Sequence, residues 1–316
     1  MQYPTKLLDK TSGVVDWIPL IAAILVFATF QYSERISDVA GAVSIHLRTA
    51  DLQSSLAVQA RLSWGLVLFL YATVFVAAIA AMLSCFFRIY GIRGAIAFGS
   101  MSIAIGTFLS FSENSLSIGS ATPMVRLAIA YHSLPAWPFE KGAIPGVLVA
   151  YLMIGVAISC LRMMPAVAHL TEEQEREQAA TRIEQLQSLL RRALYAAAAV
   201  LSVAMMFTSA LHGLALPLTT REEQDSVRQL ALSISSAQGT GWTAILVAIY
   251  APAALVLVNR SQLLADAGVR RLNRKAQLEW LEKHGLSRSV GEQLSTAAAA
   301  FGPLLAGVSA KLIELI

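Results

Sequence analysis

The chain has 316 residues, of which 56% are hydrophobic and only 14% charged, with a mean hydropathy of +0.61. Soluble domains carry about 25% charged residues, so this composition excludes an ordinary soluble protein and predicts an all-α polytopic membrane protein. Lys and Arg exceed Asp and Glu by 24 to 20, but the excess lies beside apolar stretches, which reads as membrane topology and implies no nucleic-acid partner.

Lys6 and Lys10 precede the first apolar run much as in a signal peptide. Ala28-Thr29-Phe30 ends in a bulky residue where cleavage needs a small one, so the run is expected to stay as span one, Trp17 to Phe30. Asp16 and Pro19 open it as a cap and a first-turn proline. Gln31 to Arg61 then leaves the membrane as a helical hairpin, with Ile36, Val39, Val43 and Leu47 on one stripe and Asp51 capping the second helix.

Span two covers Leu62 to Phe87, and the basic link Arg88 to Arg93 forces an immediate return into span three, Gly94 to Phe111. Ala95, Gly99, Ser102, Gly106 and Ser110 recur there at spacings of three and four, a row of small residues that lets a second helix approach closely. From Ser112 to Lys141 the chain is irregular, with Pro123, Pro135, Pro138 and a short amphipathic piece, Met124 to Ser133. Span four is Ala143 to Met164.

A charged, helix-favouring extension follows from Thr171 to Arg192, with Thr171 and Gln174 as a capping box. Ala179, Ile183, Leu186 and Leu190 form a stripe of about two heptads, a short coiled-coil-like seam. No breaker separates it from span five, Leu194 to Leu216, so one helix of about 45 residues, roughly 68 Å long, is expected. Thr219 with Glu222 should cap a helix in the outer loop Thr219 to Gly241, striped by Val227, Leu230 and Ile234. Span six, Trp242 to Val258, contains Pro252 and continues into a basic extension, Asn259 to His284, ended by Gly285. Leu264, Leu272, Leu278 and Leu281 could face the partner extension.

The last segment, 286–316, reads as an amphipathic helix capped by Ser289 and Glu292, with Phe301, Leu304, Leu305, Val308, Leu312 and Ile316 on one face. It is expected against the membrane, a neighbouring subunit or another membrane or cytoplasmic protein. With the N-terminus inside, about 17 of the 24 Lys and Arg fall on cytoplasmic segments and about 7 outside. The expectation is six spans in the plasma (inner) membrane with both termini cytoplasmic. Three parts follow: a four-span region, 1–164; the hairpin of spans five and six with its extensions, 165–285; and the C-terminal helix.

No glycine-rich phosphate loop, nucleophile motif or paired His and Cys at ligand spacing occurs, so neither an enzyme nor a cofactor is indicated. Cys85 and Cys160 read as buried thiols. His46, His132, His212 and Glu113 could hold zinc only if four separate segments converged, and no metal site is assigned. On span five, Ser202, Met205, Ser209 and His212 share one face; on span six, Thr240, Thr243 and Tyr250 do. Repeated around the axis of a homo-oligomer, Ser202, Ser209, His212, Thr240, Thr243 and Tyr250 would line a weakly selective pore, an ion channel or conductive effector gated by its cytoplasmic helices. The alternative is a non-conducting scaffold or accessory subunit. In outline, two spans with long cytoplasmic helices, roughly Thr171 to Arg274, resembles the proton-driven stator subunits of flagellar and TonB systems, with Thr208 and Thr243 as the matching polar positions. The resemblance implies ion flow coupled to the hairpin. Four further spans, and the lack of a large cytoplasmic domain between spans four and five, depart from that pattern.

Overall fold

The computed structural model describes residues 55–111, 128, 144–165, 173–268, 274–287, 295–296 and 298–306. Span one with Asp16, residues 31–54 of the outer hairpin, nearly all of Met124 to Ser133, the caps at Thr171 and Ser289, Leu272, and the residues His46, Glu113 and His132 lie outside it. The order is α1 (Ser55–Phe111), α2 (Ile144–Arg162), α3 (Glu173–Gly213), a 3-10 turn (Leu216–Leu218), α4 (Arg221–Gly268) and α5 (Arg274–Lys283), with residues 302–306 helical as well. No β-strand occurs among the described residues, and α1 to α4 are long and apolar enough to cross a membrane.

α1 is folded in two. Gly91 has φ 70° and ψ −166°, a conformation open in practice only to glycine because a Cβ collides with the backbone. The Phe86 and Phe98 rings stack with centroids 3.7 Å apart, and Leu83 lies 3.7 Å from where a Gly99 Cβ would stand. Twelve residues of straight helix would separate Phe86 and Phe98 by about 18 Å. The two limbs therefore run antiparallel, with the return at the Arg88 to Arg93 link.

α3 is the hub. It runs unbroken for 41 residues, about 62 Å, and buries residues along its length from Ala179 to His212 against α1, α2 and α4, while Gln185, Arg192, Tyr195 and Ala199 stay exposed. Tyr71 stacks on Phe207 (centroids 5.5 Å apart) while Cys85 Sγ lies 3.9 Å from the Leu189 carbonyl, so the first limb of α1 runs antiparallel to α3. α2 does the same: Gly146 packs on Leu201, and Cys160 Sγ lies 3.6 Å from the Leu186 carbonyl. α4 is antiparallel too, with Gln224 Nε2 reaching the Leu216 carbonyl (3.5 Å) near the turn and Gln187 bonding Ser261 far from it. The expected stripe Ala179, Ile183, Leu186 and Leu190 is buried throughout.

Three boundaries differ from the sequence reading. The outer-loop helix and span six are a single helix, α4, since no residue between them breaks the hydrogen-bond ladder and Pro252 is accommodated inside it. The cap falls at Thr220, whose Oγ1 donates to Glu223 Oε2 (3.1 Å), one residue beyond the expected pair. Thr219 is engaged by the preceding Pro217 turn, with its Oγ1 on the Leu216 carbonyl at 2.9 Å. The basic extension is not one straight helix: Gln277 Nε2 of α5 donates to Asp266 Oδ1 of α4 (2.6 Å), two positions that straight helix would hold about 16 Å apart. There Leu264 is buried with Ala179, Ala180, Ile183 and Leu286, Leu281 packs against them, and Leu278 faces out.

Side chains are sorted as lipid requires. Leu66, Phe69, Ile103 and Phe108 on α1 are more than 70% exposed, while Ala78 and Ser102 are buried. An apolar exterior of this extent is a surface for lipid or other membrane helices.

Candidate functional site

A seam between α3 and α4 carries polar side chains inside this apolar bundle, while Ser102 on α1 and Ser159 on α2 are buried elsewhere. At one end Gln187, 2% exposed, donates from Nε2 to Ser261 Oγ (3.1 Å), and Ser261 in turn donates to the Leu257 carbonyl (2.9 Å). About 25 residues, or seven turns, further along α3 the same face returns at His212.

His212 is fully buried. Its Nδ1–H donates to the Thr208 carbonyl (2.8 Å), which leaves Nε2 of the neutral ring as a bare acceptor. Nε2 has no partner, and neither do Ser235 Oγ nor Gln238 Oε1 in the buried face of α4. Thr208, also buried, donates to the Ala204 carbonyl (3.0 Å). Besides the satisfied Gln187–Ser261 pair, α3 and α4 thus carry three buried polar atoms whose bonding capacity is unused, a chemistry suited to ordered water.

Midway along the seam the C-terminal segment enters. Leu304 N donates to Thr243 Oγ1 (3.1 Å), and the Tyr195 and Ser295 hydroxyls are 3.3 Å apart. Gly239 makes the contact possible: a Cβ there would stand 2.6 Å from the Pro303 carbonyl oxygen. Gly302 faces Ser202 and Ala198 in the same way.

The expected pore positions divide. Ser202 and Ser209 are half-buried; His212, Thr243 and Tyr250 are buried; Thr240 is exposed, its hydroxyl donating to the Ser236 carbonyl (2.9 Å). The structure gathers Ser202 and Thr243 around the C-terminal segment and leaves Thr240 on the outside. Ser235, Gln238, Gln187 and Ser261 were missed by sequence reasoning. Their signal was present in part: Val227, Ala231, Ser235, Gln238 and Trp242 continue one buried stripe at spacings of four and three.

In the row of small residues, Gly99 packs on Leu83 and Gly106 on Leu148, Ser102 is buried with its hydroxyl on the Phe98 carbonyl (2.7 Å), and Ala95 is half-buried. The side chain of Ser110 lies outside the described residues. Cys85 and Cys160 are buried free thiols. Among the described residues no three His, Cys, Asp or Glu side chains are grouped to hold a metal. No protein-family model, curated protein or solved structure matches the chain.

Proposed function

We propose that this is an integral protein of the plasma (inner) membrane that crosses six times from a cytoplasmic N-terminus and assembles with copies of itself into a channel or conductive effector. The topology is supported by where the arginines fall. Arg88, Arg162, Arg192 and Arg260 each follow or precede by one to three residues the contacts that Cys85, Cys160 and Ser261 make with α3 between Leu186 and Leu189. Basic helix ends gathered at one level mark a cytoplasmic face.

The observation that carries the conducting function is that both helices of the hairpin hold buried polar atoms without a partner, His212 Nε2 on α3 and Ser235 Oγ and Gln238 Oε1 on α4. Leaving such a group dry costs about 1–3 kcal/mol. Hydration removes that cost, and a hydrated row between spans is what an ion or proton path requires. The apolar exterior of α1 supplies area for neighbouring copies.

The test is flux through liposomes containing the purified protein. Ser209→Trp and His212→Phe should each lower it at least tenfold while particle mass is unchanged. Unchanged flux in both variants removes the seam from conduction. The accessory-subunit reading draws on the outward Phe301 and Leu305, 47% and 59% exposed. It calls for a monomer or dimer carrying other proteins in nanodiscs, where the channel calls for a closed ring of identical copies.

A further inference from the structure

We propose that residues 295–296 and 298–306 belong to an intramembrane arm, seated in the groove between α3 and α4, and that this seat closes the polar seam. The second half rests on the conducting function above; the first does not.

Depth is the first argument. Leu286 packs with Ala179, Ala180 and Ile183, Ser295 lies beside Tyr195, and Gly302 meets Ala198 and Ser202. The segment climbs parallel to α3, past the basic level at Arg191 and Arg192 and into the apolar stretch that begins at Leu194.

Side-chain sorting is the second. Thr296 and Ala300 are 6% and 7% exposed and Pro303 is buried, at spacings of four and three, whereas Phe301 and Leu305 point away. A helix lying on a protein in water would bury the large apolar side chains and expose the small ones. Small side chains inward and large ones outward is the arrangement of a helix packed against other helices in lipid. Phe301 and Leu305, part of the apolar face expected against the membrane or a neighbouring subunit, are on the outer side.

Hydrogen bonding is the third. Pro303 lacks an N–H, and Leu304 stands in the first turn of helical residues 302–306, where amides have no partner within the helix. Away from water such an amide needs an acceptor, and Thr243 Oγ1 supplies it at 3.1 Å. The arm therefore covers Ser202 and Thr243, two of the residues expected to line the conduit.

The test uses the full chain in nanodiscs with Cys85→Ala and Cys160→Ala as background. A Cβ at Gly302 lies 4.0 Å from Ala198 Cβ, within the range a disulfide spans. Ala198→Cys with Gly302→Cys should cross-link nearly completely under mild oxidation. Leu255→Cys with Gly302→Cys, whose first member faces outward, should not. As a check that avoids the new contact, single cysteines at Ala300 and Phe301 should resist a membrane-impermeant maleimide until the protein is denatured. Absence of the cross-link, with both single cysteines labelled in the native particle, overturns the seat.

Gly239→Leu drives a side chain into the Pro303 backbone, and Gly302→Leu pushes from the arm's own side. Each should expose the Ala300→Cys thiol and raise flux at least tenfold, and the Ala198–Gly302 cross-link should hold flux at its lowest value. Release of the arm with flux unchanged overturns the closing role. No flux in any variant, released arms included, overturns both that role and conduction, and the cross-link still reports the seat.

Discussion

The amide of Leu304 and the hydroxyl of Thr243, 61 positions apart, are joined by a 3.1 Å hydrogen bond that ties the C-terminal segment to the middle of α4. Thr243→Val keeps the shape of the side chain and removes the acceptor. It is expected to lower stability by about 1–3 kcal/mol, the cost of an unsatisfied buried amide, and Thr243→Ser to retain most of it. Thermal unfolding in nanodiscs measures the difference, and faster hydrogen exchange at Leu304 in the Val variant locates it.

Gly239→Ala sets two effects against each other. In an open helix interior the exchange stabilises by about 1 kcal/mol, but here the new Cβ would stand 2.6 Å from a backbone oxygen that no rotamer change can move. Overpacking of this kind costs about 1–3 kcal/mol, so the net effect is expected to be destabilising. With residues 295–316 deleted the sign should reverse, and a thermal shift for the two pairs of proteins reads both signs.

Gln187 and Ser261 should behave asymmetrically. Ser261→Ala leaves the Gln187 amide buried without this partner, at a cost of about 1–3 kcal/mol. Gln187→Leu leaves Ser261 its bond to the Leu257 carbonyl and should cost less. The double substitution is expected to be milder than Ser261→Ala alone, which a double-mutant cycle on unfolding midpoints checks.

Gly91→Ala isolates backbone strain, because a Cβ there meets nothing within 4 Å. A non-glycine residue at φ 70°, ψ −166° costs about 1–3 kcal/mol. Gly91→Asn is expected to give no relief, because this ψ lies outside the left-handed helical well that asparagine tolerates. Equal loss of stability for the two variants is the outcome to look for.

Phe86 is fully buried and fills the closed end of the α1 hairpin, stacked on Phe98 and facing Gly155 of α2. Phe86→Ala should cost about 3–5 kcal/mol through lost burial and the cavity left behind. Phe87→Ala, one residue away on a face that is 54% exposed, should cost far less, and parallel unfolding curves separate the two.

Composition and period by themselves determined that the chain is helical, that its helices are apolar enough for a membrane, and that α3 continues unbroken from charged to apolar sequence. These are properties of one helix at a time: residue propensity, the absence of Pro and Gly from α3 between Glu173 and His212, and 3.6-residue periodicity. The stripe Ala179, Ile183, Leu186 and Leu190 was legible for the same reason. Only the tertiary structure decided which face of each helix meets which neighbour. In a bilayer large apolar side chains are welcome outside, so hydrophobicity does not tell the inner face from the outer, and the small inner face of Thr296, Ala300 and Pro303 was not legible beside Phe301 and Leu305. The seam was legible only in part, since His212 and Thr243 stand out as polar residues in apolar spans, whereas Ser235 and Gln238 sit in a polar-looking loop that becomes buried only once α4 continues through it. The cap at Thr220, the fold-back of α5 onto Asp266 and the backbone contact at Gly239 depend on atoms distant in sequence or on the geometry of the preceding turn. Packing, rather than local propensity, sets them.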